Sequence, residues 1–349
     1  MLRLPKFKYL QPKNVNEAVR MMADAGPEGM FVAGGTDLYP NMKRRQQTPK
    51  IVIGLGNLRE LRILKGKPAE GIVLGASLTL TEVTEDKKVR KAHPAVARAA
   101  ELISTPLLRN MGSIGGNLLL DTRCNYYDQT YEWRKAIHFC MKKDGEICWV
   151  APSSPRCWAV QSSDCAPVMV AIGAKVKLVS PSGERVITAS ELYNDDGIRH
   201  LNKRPDELLT EVQLPAVNGW RATYWKLRRR GSFDFPVLGV AAWMKQDSQG
   251  TVTEAKLILG GVGSFPIEAE ASEKAIIGKK LTEDTIREAA EAAFRPAKPL
   301  DNTDFHMLWR KEMTRYYVAG ALREVGGLPP STPPQAIRGN GSSGLHVLP

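Results

Sequence analysis

The chain has 349 residues, 43% of them hydrophobic and 25% charged, with a formal net charge of +12 at pH 7. This is the composition of a globular protein with enough length for two or three small domains. No apolar run approaches the roughly 18–20 residues that a membrane-spanning helix needs, so we expect no membrane span. The first residues lack the apolar segment and cleavage site of a secretory signal, so we expect a cytoplasmic protein without a disulfide framework.

The excess of positive charge has two interpretations. It can serve solubility and contacts with acidic partner subunits, or it can bind nucleic acid. The basic clusters at 43–45 and 228–230 are short and far apart, and no zinc-finger, helix-turn-helix or RNP pattern surrounds them. We therefore expect no nucleic-acid partner.

The first predicted elements are a helix and a buried strand that ends in two glycines. Asn14 is a suitable N-cap for the helix, which stops at Gly26. The strand at 30–33 leads into the turn GGTDL at 34–38. Two glycines let backbone N–H groups point at a pyrophosphate, although the same residues can form a tight turn with no ligand. The turn is neither a Walker A sequence nor a GxGxxG fingerprint, so the common nucleotide-binding folds are not indicated.

A second glycine-rich turn, RNMGSIGGN, follows at 109–117. Between the two turns, strands and helices are predicted at 50–54, 71–78, 81–85 and 93–103. His93 is expected at the surface or as a capping residue. The second turn has glycines on both sides of Ser113, so a cofactor phosphate can sit against its N–H groups and the serine hydroxyl. Two such turns, each after an apolar segment, favour a large phosphate-bearing cofactor.

The second half of the chain reads as strands followed by helices, which predicts an α+β fold class. A helix end and strands are predicted at 168–180, 207–215, 221–227, 237–245 and 253–260, and helices at 282–294 and 303–325. The segment at 328–349 is rich in Pro, Gly and Ser, and we expect a tail with no core of its own, disordered or lying on a partner.

All five cysteines lie between the second glycine-rich turn and the end of an acidic turn, SDCAP, at 163–167. Four of them, spaced 16, 8 and 9 residues apart, are Cys124, Cys140, Cys148 and Cys157. They can be unrelated buried thiols, ligands of structural zinc or ligands of a 4Fe–4S cluster, and the spacing alone does not decide. Cys165, in the SDCAP turn, is expected to be a small core residue.

The composition of the segment favours the cluster. It has little apolar periodicity, so a metal centre would supply folding energy that hydrophobic burial cannot. Its aromatic residues could shield a cluster from water, and four basic residues could offset the charge of the thiolates: Arg123, Arg134, Lys135 and Arg156. His138 is expected to be a loop residue rather than a ligand.

The turns AGGTDL, RNMGSIGGN and SDCAP resemble those of the FAD-binding medium subunit or domain of the xanthine dehydrogenase and carbon monoxide dehydrogenase group of molybdenum hydroxylases. The cysteine loop, at about 122–162, is similar to that of the β subunit of 4-hydroxybenzoyl-CoA reductase, where it carries a 4Fe–4S cluster. The resemblance implies an α+β chain with a two-subdomain FAD-binding fold of the PCMH or molybdopterin-dehydrogenase type at 1–57 and 58–216. A C-terminal domain like that of carbon monoxide dehydrogenase flavoproteins is implied at 217–327.

The resemblance also implies which residues hold the cofactors. FAD contacts are implied at Phe31, Val32, Ala33, Gly34, Gly35, Thr36, Asp37, Leu38, Ile103, Ser113, Ile114, Gly115, Gly116, Asn117, Asp164, Leu209 and Lys226. Among these, Ile103 is expected near the adenine and Asp164 on the sugar portion of the cofactor. The implied cluster ligands are Cys124, Cys140, Cys148 and Cys157.

In function, the resemblance implies an electron-transfer subunit without a catalytic side chain of its own. A large partner subunit would hold molybdopterin and a small one 2Fe–2S clusters, together forming a dimer of heterotrimers. In the first interpretation, a low-potential donor such as ferredoxin feeds a reductase that removes a phenolic hydroxyl. The alternative is the FAD subunit of an NAD-linked dehydrogenase acting on xanthine or another heterocycle. A zinc-stapled nucleic-acid-binding module is the contrasting hypothesis.

Overall fold

The computed structural model of the chain describes residues 2–330, which form three β-sheets with helices around them. The strands β1 to β12 are Lys8–Leu10, Gly29–Val32, Ile51–Gly54, Leu64–Lys67, Gly71–Gly75, Lys175–Ser180, Gly183–Thr188, Leu208–Leu214, Trp220–Leu227, Leu238–Gln246, Val252–Gly260 and Ile267–Glu268. The helices α1 to α12 are Val15–Ala25, Leu38–Lys43, Leu80–Glu85, Lys87–Ala92, Pro94–Glu101, Pro106–Arg109, Ile114–Leu118, Tyr131–Ala136, Cys165–Ala171, Glu270–Ile276, Glu283–Phe294 and Met307–Gly326.

The first sheet is parallel, in the order β1-β3-β2, and α1 packs against it. The predicted caps of α1 are confirmed: the Asn14 side chain accepts a hydrogen bond from the Glu17 N–H at 2.8 Å, and Gly26 ends the helix at φ +52°. This sheet directs the chain from the end of β2 straight into the first glycine-rich turn.

The second sheet is antiparallel, in the order β4-β5-β8-β6-β7. Its strands β5 and β6 are adjacent in sequence order but about a hundred residues apart in the chain, and α3 to α9 lie between them. The second glycine-rich turn, the cysteine loop and the SDCAP turn all belong to this long connection. The sheet therefore anchors the second glycine-rich turn, the cysteine loop and the SDCAP turn, while the predicted residue Lys226 lies on β9.

The third sheet is antiparallel, in the order β12-β11-β10-β9, and α10 to α12 cover one face. Its other face joins the core of the second sheet, where α9 packs against β10 and β11. Tyr224, Ala241 and Ile258 of the third sheet are buried in this shared core. This mixed architecture confirms the predicted α+β class.

Two expectations from the sequence, for His93 and for the C-terminal tail, are compared with the fold in turn. His93 was expected at the surface or as a cap. It does occupy the cap positions, since its N–H donates to the Val89 carbonyl oxygen at the end of α4 and it is the residue before α5, although its side chain makes no capping hydrogen bond. The surface position is wrong, because His93 is 1% exposed and its ring lies 5.5 Å from the Trp220 ring. Most of the tail predicted at 328–349 lies outside the described residues, since these end at residue 330. Within residues 2–330, no helix is both long enough and apolar enough to span a bilayer.

Candidate functional site

A cleft of about 520 Å³ lies where the two glycine-rich turns meet. Its walls contain fifteen of the seventeen residues that the sequence implied for FAD: Phe31, Val32, Ala33, Gly34, Gly35, Thr36, Asp37, Leu38, Ile103, Ser113, Gly115, Gly116, Asn117, Asp164 and Leu209. The structure therefore brings segments from residue 31 to residue 209 to one concave site, and its volume suits a small-molecule cofactor.

The first turn presents free backbone donors to this cleft. Gly35 has φ +71°, and a Cβ atom there would overlap the Tyr39 ring, so the position requires glycine. The N–H groups of Gly34, Gly35, Thr36 and Asp37 donate to no acceptor among residues 2–330. Unpartnered N–H groups in a turn at the start of a helix form a nest for an anion. This fits the predicted pyrophosphate contact.

The second turn has a different physical role from the one expected. The N–H groups of Ile114 and Gly115 donate to the carbonyl oxygens of Leu78 and Ala76, each at 2.9 Å, so they are not free for a phosphate. A Cβ atom at Gly115 would lie 2.7 Å from that of Ala76. The glycines of this turn therefore allow close packing, and Ser113 supplies a hydroxyl at the cleft wall.

The two turns also touch each other directly. A Cβ atom at Gly34 would overlap the carbonyl oxygen of Met111, which belongs to the second turn. Only a glycine at this position lets the two backbones approach so closely. The shape of the cleft floor thus depends on a contact between segments 77 residues apart in the chain.

Two predicted cofactor residues do not line the cleft. The Ile114 side chain is fully buried in the main hydrophobic core, so it points away from the cleft. Lys226 is also absent from the walls, but its ammonium donates to Asp164 Oδ2 and to the Leu102 carbonyl oxygen, each at 2.9 Å. Lys226 therefore acts on the site through Asp164, which does line it.

Asp164 is a buried carboxylate with two donors. Tyr224 Oη donates to its Oδ1 at 2.9 Å, and the side chains of Asp164 and Lys226 are 3% and 1% exposed. Burial raises the pKa of Asp164 and lowers the pKa of Lys226, while the ion pair between them opposes both shifts. The Asn117 side chain joins this turn to the second glycine-rich turn by accepting from Ser163 Oγ at 2.7 Å.

The cysteine loop, residues 122–162, leaves the cleft wall through a narrow neck. Arg123 and Val160 exchange backbone hydrogen bonds at 2.8 and 2.6 Å, which close the loop at its base. The C-terminal part of the chain holds the loop from outside, since the Asn302 carbonyl oxygen accepts from the Asn125 N–H at 2.9 Å. Its only helix among the described residues is α8.

The loop has its own small core, and cysteines dominate it. Cys124, Cys140 and Cys157 pack with Tyr127 and Ala159, and each thiol is less than 8% exposed. Cys148 is 5% exposed, and none of the five cysteines forms a disulfide. The pKa of Cys124 is raised to about 12, chiefly by burial, and negative charge on the other three thiols raises it further. Cys124, Cys140 and Cys157 share one small core, whereas Cys148 is buried but is not part of it.

The thiols are not arranged around a single ion. In the described part of the chain, no three His, Cys, Asp or Glu side chains form a group that could hold one metal ion. Tetrahedral zinc with Zn–S bonds of about 2.3 Å needs its sulfurs about 4 Å apart. A cluster of four irons and four sulfides occupies more space, so its thiolates lie farther apart. The donor set, four buried cysteines without disulfides, is of the kind that such a cluster takes.

Charged side chains connect the loop to the cleft. Arg123, next to Cys124, forms an ion pair with Asp37 of the first turn, and both residues line the cleft. Arg134 is fully buried, and its guanidinium donates to the carbonyl oxygens of Arg44 and Arg45. Its Nε and Nη1 have no hydrogen-bond partner within residues 2–330, although Nη1 lies 3.9 Å from Asp144 Oδ2. Lys142, which the sequence expectations missed, is 6% exposed in its side chain.

The expected aromatic shield is only partly formed in this chain. Tyr127 is buried, whereas the side chains of Tyr131, Trp133 and Trp149 are 40%, 40% and 36% exposed. The exposed rings give the loop an apolar outer surface.

Both halves of the chain match known families. Residues 5–217 match the FAD binding domain in molybdopterin dehydrogenase. Residues 222–325 match the CO dehydrogenase flavoprotein C-terminal domain. The first match alone covers more than half of the chain.

Individual proteins are similar over nearly their whole length. The aldehyde oxidoreductase FAD-binding subunit PaoB of Escherichia coli (strain K12) is 30% identical over 329 residues, 91% of this chain and 99% of that protein. The carbon monoxide dehydrogenase medium chain of Hydrogenophaga pseudoflava is 26% identical over 321 residues, 91% of this chain and 96% of that protein. A solved structure of carbon monoxide dehydrogenase from Hydrogenophaga pseudoflava, lacking the Mo-pyranopterin moiety of its molybdenum cofactor, is 26% identical with a TM-score of 0.76. This match covers 93% of the present chain and 99% of the chain in that solved structure.

These matches confirm the predicted two-part architecture, with an FAD-binding fold followed by a flavoprotein C-terminal domain. The N–H groups of the first turn and the walls of the cleft fit a phosphate-bearing cofactor. The chain belongs to the family of FAD-binding molybdopterin dehydrogenase domains and is the FAD subunit of an oxidoreductase of the molybdenum hydroxylase family.

Proposed function

We propose that this chain carries FAD in the cleft and a 4Fe–4S cluster on Cys124, Cys140, Cys148 and Cys157, as the electron-carrying subunit of its complex. The observation that carries the proposal is the cysteine loop. Four buried thiols without disulfides lie in this loop, three of them packed together, in a segment with almost no other apolar core.

The loop supports a cluster for a thermodynamic reason. Its segment between residues 124 and 157 contains one short helix and few buried hydrophobic side chains, so burial alone stabilises it weakly. Metal–thiolate bonds would supply the missing folding energy. Burial raises the pKa of Cys157 to about 11 and that of Cys124 to about 12, so loading the cluster releases protons from these thiols.

The bound groups would supply one- and two-electron chemistry, and this chain would supply binding and shielding. The first turn would hold the pyrophosphate through its N–H groups, and Asp164 would accept hydrogen bonds from the sugar portion. The buried ion pair with Lys226 fixes the position of that carboxylate. No side chain here acts as an acid, base or nucleophile in the proposal.

We propose a large molybdopterin subunit and a small 2Fe–2S subunit as partners, in a dimer of heterotrimers. The resemblance of the three turns supports this, and so does the name of the similar carbon monoxide dehydrogenase chain, a medium chain. The cysteine loop favours a reductase that removes a phenolic hydroxyl and takes electrons from a ferredoxin-like donor. The relatives favour the alternative, a dehydrogenase subunit, because they are named as an aldehyde oxidoreductase and a carbon monoxide dehydrogenase.

Iron and acid-labile sulfide analysis of the anaerobically purified chain tests the cluster. We expect about four irons and four sulfides per chain, and fewer than about three irons would contradict an intact cluster. Alanine variants of each of the four cysteines should lose iron. Cys165→Ala is the matched control, because Cys165 is buried in the main core and should leave the iron content unchanged.

The electron donor distinguishes the two kinds of complex. Rapid bleaching of the flavin absorbance by NADH would support the NAD-linked dehydrogenase. Bleaching by reduced ferredoxin, with no response to NADH, would support the reductase. Both measurements use the complex as purified, so the partner subunits stay in place.

A further inference from the structure

Lys142 is a buried cation in the cysteine loop that none of the cofactor assignments uses. Its ammonium donates to Asp121 Oδ1 at 2.8 Å, Thr122 Oγ1 at 2.8 Å and the Gly197 carbonyl oxygen at 2.7 Å. It also lies 4.9 Å from the centre of the Tyr127 ring. All three N–H donors of the ammonium therefore have acceptors, and its position is fixed.

One of these acceptors belongs to a residue in contact with a cluster ligand. A Cβ atom at Gly197 would lie 2.7 Å from Cys157 Sγ, and the Gly197 N–H donates to the Cys157 carbonyl oxygen at 2.9 Å. A single residue, Gly197, thus lies between the Lys142 ammonium and the sulfur of Cys157.

The other side of the ammonium faces the cofactor cleft. Asp121 lines the cleft, and it also accepts from Tyr127 Oη at 3.0 Å and from Gln47 Nε2 at 3.3 Å. Cys157 does not line the cleft. The ammonium therefore lies between the thiols and the cleft wall, with its carboxylate partner on the cleft side.

We propose that Lys142 is a positioning residue that raises the reduction potential of the cluster held by the four cysteines, an inference that rests on the proposed function. Reduction adds one negative charge to the cluster, and a nearby fixed cation in a poorly hydrated site stabilises that charge. Lys142 lies two residues after Cys140 in the chain, and its ammonium is hydrogen-bonded to Asp121 on the cleft wall. It thereby couples the geometry of the two cofactor sites.

The other buried or half-buried cations of the loop have different surroundings. Arg123 pairs with Asp37, and Arg156 pairs with Asp195 at 2.8 Å while lying 3.6 Å from the Trp158 ring. Arg134 is bonded to backbone carbonyls of the segment after α2. Of these four cations of the loop, Lys142 is the one that donates to the carbonyl oxygen of Gly197, the residue next to the Cys157 sulfur.

The test compares Lys142→Met with Lys143→Met in the purified complex, by redox titration of the cluster monitored by EPR. Lys143 is the matched control, because it is the next residue, 34% exposed, and pairs with Asp144 at 3.5 Å. We expect Lys142→Met to lower the ratio of reduced to oxidised cluster at a fixed potential about tenfold, a shift of about 59 mV for one electron. Lys143→Met should titrate like the wild type.

Iron and sulfide content separates this inference from the proposed function. A wild-type chain without iron would remove the cluster, and the inference with it. If both lysine variants carry the cluster and titrate alike, the cluster stands and the role of Lys142 is overturned. If Lys142→Met does not load, Asp121→Asn replaces it: loss of that carboxylate leaves the ammonium unopposed and should raise the potential. An unchanged potential in Asp121→Asn would then overturn the inference.

Discussion

Arg123 and Asp37 form an ion pair that ties the base of the cysteine loop to the first glycine-rich turn. Their side chains are 13% and 30% exposed, and the Arg123 guanidinium also lies 4.2 Å from the centre of the Phe235 ring. Arg123 precedes Cys124, the first of the four cysteines of the loop, and Asp37 follows the glycines of the turn. The pair therefore links the two proposed cofactor sites through side chains on the cleft wall.

A double-mutant cycle measures this link. Arg123→Met and Asp37→Asn should each destabilise the cofactor-free chain, because each removes one charge of this partly buried ion pair; Arg123 keeps a second, longer contact with Asp128 at 3.8 Å. We expect a coupling free energy of about 0.5–3 kcal/mol from urea unfolding of the two single variants and the double variant. Strictly additive effects would show that the pair contributes nothing.

Gly34→Ala tests the contact between the two glycine-rich turns. Because the new Cβ would overlap the Met111 carbonyl oxygen, the turns must separate, and we expect destabilisation of about 1–3 kcal/mol with loss of bound flavin. Flavin absorbance per chain and thermal unfolding are the measurements. Gly56→Ala is the control, since a Cβ there meets no atom within 4 Å, and it should keep the flavin.

Lys226→Met should be among the most damaging single substitutions at a charged residue. It leaves Asp164, which is 2% exposed, as a buried carboxylate without its cation, and we expect a loss of about 3–5 kcal/mol in the free energy of unfolding. Lys274→Met removes the same group from a pair whose side chains are 76% and 68% exposed. That control should cost no more than about 1 kcal/mol. Equal losses in the two variants would contradict the proposed importance of the buried pair.

The burial of His93 predicts that the free energy of unfolding decreases in acid. Neither of its ring nitrogens is hydrogen-bonded, and burial lowers its pKa to about 4. The folded chain therefore resists protonation while the unfolded chain accepts a proton near pH 6.5, so stability falls as the pH drops from about 6.5 towards 4. We expect His93 to contribute about 2 kcal/mol of loss between pH 7 and pH 5.

His93→Phe is the variant that measures it, because phenylalanine keeps a ring beside Trp220 and cannot be protonated. Urea unfolding at pH 7 and at pH 5 should show a smaller loss in the variant than in the wild type. The same loss in both proteins would mean that other groups account for the acid sensitivity.

Local signals in the sequence predicted the elements well. The cap at Asn14 and the stop at Gly26 bound α1 because capping depends on residues within one turn of the helix. Thr282, followed by Glu283 and Asp284, begins α11 for the same reason. The two glycine-rich turns could be predicted to meet because both follow apolar segments and resemble a known pair of cofactor-binding turns.

Features that depend on packing between distant segments could not be predicted from the sequence. Ile114 lies between two glycines of a cofactor turn, yet its side chain points into the core because Ala76 and Leu78 fix the backbone around it. His93 was misplaced because its burial depends on Trp220, from a strand more than a hundred residues later. Lys142 could not be distinguished from Lys143 by sequence, since only the position of Asp121 and Gly197 decides which of them is buried.

The backbone pairing of Arg123 with Val160 has an evolutionary consequence. A segment of some forty residues that enters and leaves a fold through facing residues can be gained or deleted without changing the register of any sheet. The pairing of Arg123 with Val160 is thus a position at which the segment can be inserted or removed as a unit. Transplanting the whole segment between these two positions into a flavoprotein relative that lacks it would show whether the segment alone brings the proposed cluster to an unchanged scaffold.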